Sequence, residues 1–190
     1  MIETITAYFR SEILMRKLLS ILFIFLCMNV HAQENLVLNG SFEEYTDCPT
    51  GWTQDWSRVI GWENANGSSP DFYHICGLTL PSGTPIAGIP HNVHGSQLPL
   101  TGEAYMGLYG VQMGNQEWRE YIQAELIEPI RPGTRYAVSF YVSLSESSRY
   151  AISTLGAYIS ETAPSGNDLL VLDAEPQILR DPLLYITDTA

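Results

Sequence analysis

The sequence predicts an all-β fold, an antiparallel β-sandwich or jelly roll. Its second half alternates apolar and polar residues with a period of two, the pattern of half-buried strands. Glycine and proline are frequent, at 15 and 11 residues, and aromatics reach 11%, which suits many short strands joined by turns. No stretch after residue 33 keeps a helical period over three turns.

The first 32 residues stand apart from that fold. Met15-Arg16-Lys17 is basic, residues 18–30 are nearly all apolar, and Ala32 offers a small-residue cleavage site. This order is that of a secretory signal peptide, with Met15 rather than Met1 as the start. The apolar run is short for a membrane-spanning helix, so no stable span is expected after cleavage. An uncleaved anchor is the rival reading. Residues 33–190 then form one domain, of a size that buries a sizeable core.

Leu36-Val37-Leu38 is a compact apolar run stopped by the turn dipeptide Asn39-Gly40. Residues 41–90 read as irregular, and a loop that long is usually functional or held by a cross-link. Residues 104–109 form a strand after the turn at Thr101-Gly102. Ile122, Ala124 and Leu126 alternate with Gln123 and Glu125. A turn spans 129–133. From 135 to 144, Tyr136, Val138, Phe140, Val142 and Leu144 share one face, the most regular strand pattern in the chain. Residues 157–160 and 183–186 complete a set of about six strands. A jelly roll has about eight, so the expectation is a domain cut before its last strands.

Hydrophobic residues make up 45% and charged residues 16%, a globular composition. Without residues 1–32 the chain keeps six of its nine basic residues and nineteen of its 21 acidic ones, a net charge of −13, and no lysine. Such a surface repels nucleic acid and anionic lipid headgroups. It is compatible with neutral glycans or divalent cations. Cys27 leaves with the leader, so Cys48 and Cys76 remain as one pair, expected as a disulfide in an oxidising compartment. Closing a loop of that length stabilises by roughly 3 kcal/mol in the chain-entropy model.

Asn35-Leu36-Val37-Leu38-Asn39-Gly40-Ser41-Phe42-Glu43-Glu44 resembles the opening of galactose-binding-like jelly-roll domains of the carbohydrate-binding-module type. Further pieces are similar to a narrower group of exported Bacteroidota envelope proteins. They are Asp47-Cys48-Pro49, Gly61-Trp62, Ser69-Pro70-Asp71-Phe72-Tyr73 and Gly102-Glu103-Ala104-Tyr105-Met106-Gly107. The strongest runs from Arg119-Glu120-Tyr121 through Tyr136-Ala137-Val138 to Ser148-Arg149-Tyr150. In that group the domain often precedes an OmpA-like or type IX sorting domain. The resemblance implies a jelly roll located in the periplasm, on the outer-membrane surface or outside the cell. It also implies a structural calcium ion beside the opening strand, with Glu43 at the acidic position. The match departs at the end, where such domains continue past Leu184-Tyr185-Ile186 with a tryptophan and further strands.

The motifs of hydrolytic catalysis are missing: no Gly-x-Ser-x-Gly, no Ser-x-x-Lys, no His-Glu-x-x-His. The expectation is a protein that is not an enzyme. His91 and His94 have ligand-type spacing and His74 is a third imidazole, though loop histidines are more often merely exposed. Arg119 and Arg149 are expected to pair with carboxylates. For glycan binding, Trp52 and Trp56 are the surface candidates, with Asp55 and Tyr73 beside them and Asn64, Asn66 and Asp71 nearby; Trp62 is assigned to the core. A non-catalytic glycan-binding module is thus the leading expectation. A structural domain docking other envelope proteins is the alternative.

Overall fold

The computed structural model describes residues 34–51, 54–110, 118–181 and 183–187. The segment read as a signal peptide and Trp52 lie outside the described residues. The chain divides into Met1–Asn35 and Leu36–Ala190, and every element below belongs to the second unit.

The fold is all-β. Its strands are β1 (Glu63–Asn64), β2 (Asp71–His74), β3 (His91–Asn92), β4 (Gly95–Ser96), β5 (Ala104–Gly107), β6 (Ile122–Gln123), β7 (Gly156–Ala157) and β8 (Ile178–Leu179). All pair antiparallel and two by two: β1 with β6, β2 with β5, β3 with β4, β7 with β8. Isolated bridges, including Val37 to Leu126 and Ile152 to Ile186, tie further segments together. Among the described residues the one helical element is a single 3-10 turn, Asp55–Arg58, and no helix is long and apolar enough to cross a membrane.

The core forms around β2 and β5, which register Phe72 opposite Met106 and Tyr73 opposite Tyr105. Phe72, Val59 and Ala104 are buried together, and Phe42, Tyr45, Trp62 and Met106 pack against them. Trp62 therefore sits where expected, its ring 4.9 Å from that of Phe42 and its indole N–H donating to the Asn39 carbonyl at 2.9 Å. The β2 sequence shows no alternation because Phe72, Tyr73 and His74 are all buried, on both faces of the strand. This best-packed strand lies within the segment that reads as irregular.

Two local features hold that segment. Asn39 takes the left-handed φ of 51° that the Asn-Gly turn requires. Its side chain accepts from Glu44 N–H and donates to the Glu44 and Ile60 carbonyls. The Cys48–Cys76 disulfide is present, with Cα atoms 5.6 Å apart. It joins the loop before the 3-10 turn to the chain leaving β2.

The second half departs from expectation. Residues 135–144, the most regular alternation in the sequence, form no ladder; Phe140 is 51% and Tyr141 80% exposed. Alternation supplies two chemically distinct faces, but a strand becomes stable only when a neighbour takes its backbone hydrogen bonds. No such neighbour lies alongside among the described residues. Of 157–160, only Ala157 belongs to a strand, and of 183–186 only Ile186 forms a bridge.

Candidate functional site

A cleft of about 400 Å³ opens beside the 3-10 turn. Gln54 and Trp56 come from that turn and its approach, Asn64 from β1, and Asn66, Gly67, Ser68 and Ser69 from the loop leading to β2. The loop is held by its own side chains. Asn64 Oδ1 accepts from Asn66 N–H at 3.1 Å, and Asn66 Oδ1 accepts from Ser68 N–H at 3.2 Å and from the Ser68 hydroxyl. The Asn66 amide donates to the Arg119 carbonyl at 2.9 Å, fixing the loop against the chain before β6. Every described residue of the lining is uncharged, in a chain of net charge −12.

Trp56 is placed by its neighbour. Asp55 is buried at 3% exposure, and one carboxylate oxygen accepts the Thr50 and Gly51 N–H groups. The other meets Arg58 Nε at 2.8 Å. Arg58 in turn donates to the Cys48 carbonyl at 2.6 Å. A buried carboxylate must be paired in this way, so Asp55 supports the turn from within and does not line the cleft. Trp56 remains half-buried on the cleft wall.

Tyr73 lies elsewhere. Its hydroxyl donates to Asp71 Oδ2 at 3.1 Å, and its ring packs 5.2 Å from Tyr105. Burial pushes its phenol well above the usual tyrosine range, and the Asp71 carboxylate adds to the effect. His94 Nε2 lies 3.4 Å from the same Asp71 oxygen. The hydrogen bond to Asp71 raises the imidazole above its ordinary value, although burial opposes it. Glu120 accepts from Tyr109 N–H at 2.8 Å and from Ser69 N–H at 3.3 Å, yet burial still raises its carboxyl. Among the described residues the polar groups of this cluster are bonded to one another.

The remaining candidates are also placed. Glu43 Oε1 accepts the N–H groups of Glu103 and Ala104, at 2.9 and 3.1 Å, and so pins the start of β5. Calcium needs six to eight neighbouring oxygens, and one carboxylate oxygen of Glu43 is already taken by these two N–H donors. His91 is exposed, His94 faces Asp71 and His74 is buried beside Cys76. Among the described residues no group of three His, Cys, Asp or Glu side chains is arranged to hold a metal. Arg119 donates to the Trp118 carbonyl at 2.9 Å, and among the described residues it forms no carboxylate pair of the kind expected. Arg149 makes no ion pair among the described residues.

Of the residues singled out for sugar contact, the structure brings Trp56, Asn64 and Asn66 to one cleft and leaves Asp55, Asp71 and Tyr73 outside its lining. Gln54, Ser68 and Ser69 were not legible as members. Their polarity is ordinary for a loop, and only the fold turns them toward Trp56. No protein-family model, curated protein or solved structure matches this chain.

Proposed function

We propose that this protein is an exported, non-catalytic glycan-binding module of a bacterial cell envelope, built on a galactose-binding-like β-sandwich. The observation that carries this reading is the cleft itself. One aromatic wall, Trp56, stands among amides and hydroxyls with no charged side chain among the described residues of the lining. A pyranose ring stacks its apolar face on an indole while its hydroxyls exchange hydrogen bonds with amides. An uncharged lining in an acidic protein selects a neutral sugar over an ionic ligand. The volume falls in the range of small-ligand sites and suits one or two sugar rings. The leader-like N-terminus and the disulfide support export to an oxidising compartment.

The second reading, a docking domain for other envelope proteins, is favoured by the exposed apolar side chains of residues 136–142. An array of neutral oligosaccharides, probed with residues 33–190, separates the two. The glycan reading expects a saturable hit whose Kd weakens about tenfold in Trp56→Ala, the scale of one lost stacking contact. Absence of any hit by the folded protein would leave the docking reading in its place.

A further inference from the structure

The two sulfurs of the disulfide have unequal surroundings. Cys76 Sγ lies 3.0 Å from His74 Nδ1 and 3.7 Å from the Tyr45 hydroxyl. Cys48 Sγ has neither neighbour among the described residues, and Cys48 is approached by Arg58 only at its carbonyl. Both cysteines are exposed, whereas His74 is buried at 4%. The imidazole is held from two sides. Its ring packs 4.5 Å from that of Tyr45, and Cys76 N–H donates to Nδ1 at 3.0 Å. That bond makes Nδ1 an acceptor and leaves the ring proton on Nε2, which faces Glu103 Oε2 at 4.0 Å.

We propose that Cys48–Cys76 is a thiol-exchange site, with Cys76 as the leaving sulfur and His74 as the group that stabilises its charge. The co-substrate class is a thiol, small or carried on another protein. The thiol's sulfur attacks Sγ of the exposed residue Cys48 and forms a new disulfide there. The Cys48–Cys76 bond breaks, and its electron pair leaves on Cys76 Sγ. The attacking thiol gives its proton to water and attacks as the thiolate, and His74 Nδ1, on giving up its bond from Cys76 N–H, takes a proton from water and turns it toward the Cys76 thiolate. The Tyr45 hydroxyl donates to the same sulfur, and Glu103 faces the imidazolium at Nε2. An adjacent imidazolium stabilises a thiolate, and exchange is faster when the leaving thiolate is the more stable one. The proposal is independent of the glycan cleft, which shares none of these side chains.

The test uses the oxidised protein, excess reduced glutathione, early quenching with iodoacetamide and peptide mapping by mass spectrometry. The expected product carries glutathione on Cys48 and the alkyl group on Cys76. His74→Phe, which keeps an aromatic ring against Tyr45, should slow the reaction about tenfold, in line with losing a charge-stabilised leaving group. Tyr45→Phe and Glu103→Gln should slow it less. A variant that merely loosened this loop would be reduced faster, so the direction separates chemistry from misfolding. Glutathione spread evenly over both cysteines, or found mainly on Cys76, overturns the proposal. So does a rate that none of the three substitutions lowers.

Discussion

Residues 39–110 and residues 134–150 are opposite solutions to the same problem. The first segment is rich in turns and short on pattern, yet it buries Phe72, Tyr73, His74 and Ala104 and carries a disulfide. The second has long apolar alternation, yet Phe140, Tyr141 and Val142 are exposed and no ladder forms. What separates them is cross-chain restraint. In the first segment Asn39 ties Glu44 to Ile60, Asp55 ties Thr50 to Arg58, and Glu43 ties its loop to β5. Each of these side chains satisfies backbone or charged groups that an irregular path would otherwise leave unpaired. The second segment has such ties only at its far end, where the Ser145 hydroxyl donates to the His94 carbonyl and Glu146 accepts from Ser96 N–H. Its alternating part, 135–144, is held only locally, with the Tyr136 hydroxyl accepting from Arg131 N–H at 2.9 Å.

The same substitution placed in each region tests that contrast. Phe72→Ala empties the centre of the core and should cost about 3–5 kcal/mol. Urea unfolding would show it as a lower midpoint. A loss under about 1 kcal/mol would mean that the β2–β5 pair is not where stability resides.

A smaller effect is expected from pH. His94 is raised by its bond to Asp71, with Glu120 adding to the attraction and Tyr73 and Tyr109 packed beside the ring. A group raised on folding contributes stability that is full below its unfolded value, here 6.5, and lost as pH climbs through the folded one. Glu120, also raised, loses its contribution over a lower window that begins near 4.5. Both therefore make the protein less stable as pH rises. A part-exposed pair such as His94–Asp71 is worth roughly 0.2–1 kcal/mol. Wild type and His94→Gln should differ more below pH 6.5 than above the raised value. A difference that does not vary with pH would remove His94 from the account.

Phe140→Ala should change stability least, within about 0.5 kcal/mol, because the ring is half exposed and its removal opens no cavity. A cost comparable to that of Phe72→Ala would show that the 134–150 segment is buried in solution. The docking reading would then lose its support.

Several elements were legible because their signals are local. The Asn39-Gly40 turn follows from the left-handed preference of asparagine, and Cys48 and Cys76 are the pair left once the leader is set aside. The strand at 104–107 announces itself by the turn before it. β2 was hidden for a physical reason: a strand buried on both faces does not alternate. Asp55 read as a surface acid because it sits between polar residues and a tryptophan. Its real clue was Arg58, three residues on and within reach across one turn. Tyr73 carried no comparable hint, since only the fold sets it against Asp71 and Tyr105 rather than beside Trp56.

The sequence by itself determined the all-β class, the turn chemistry and the one cysteine pair, because period, φ preference and residue count are properties of neighbours along the chain. The tertiary structure decided which segment became the core, which acid was buried and which polar residues met Trp56 in a cleft. It also decided that His74 lies under one sulfur of the disulfide and not the other. Each of these depends on contacts between residues far apart in the chain or on burial, and a linear pattern carries neither.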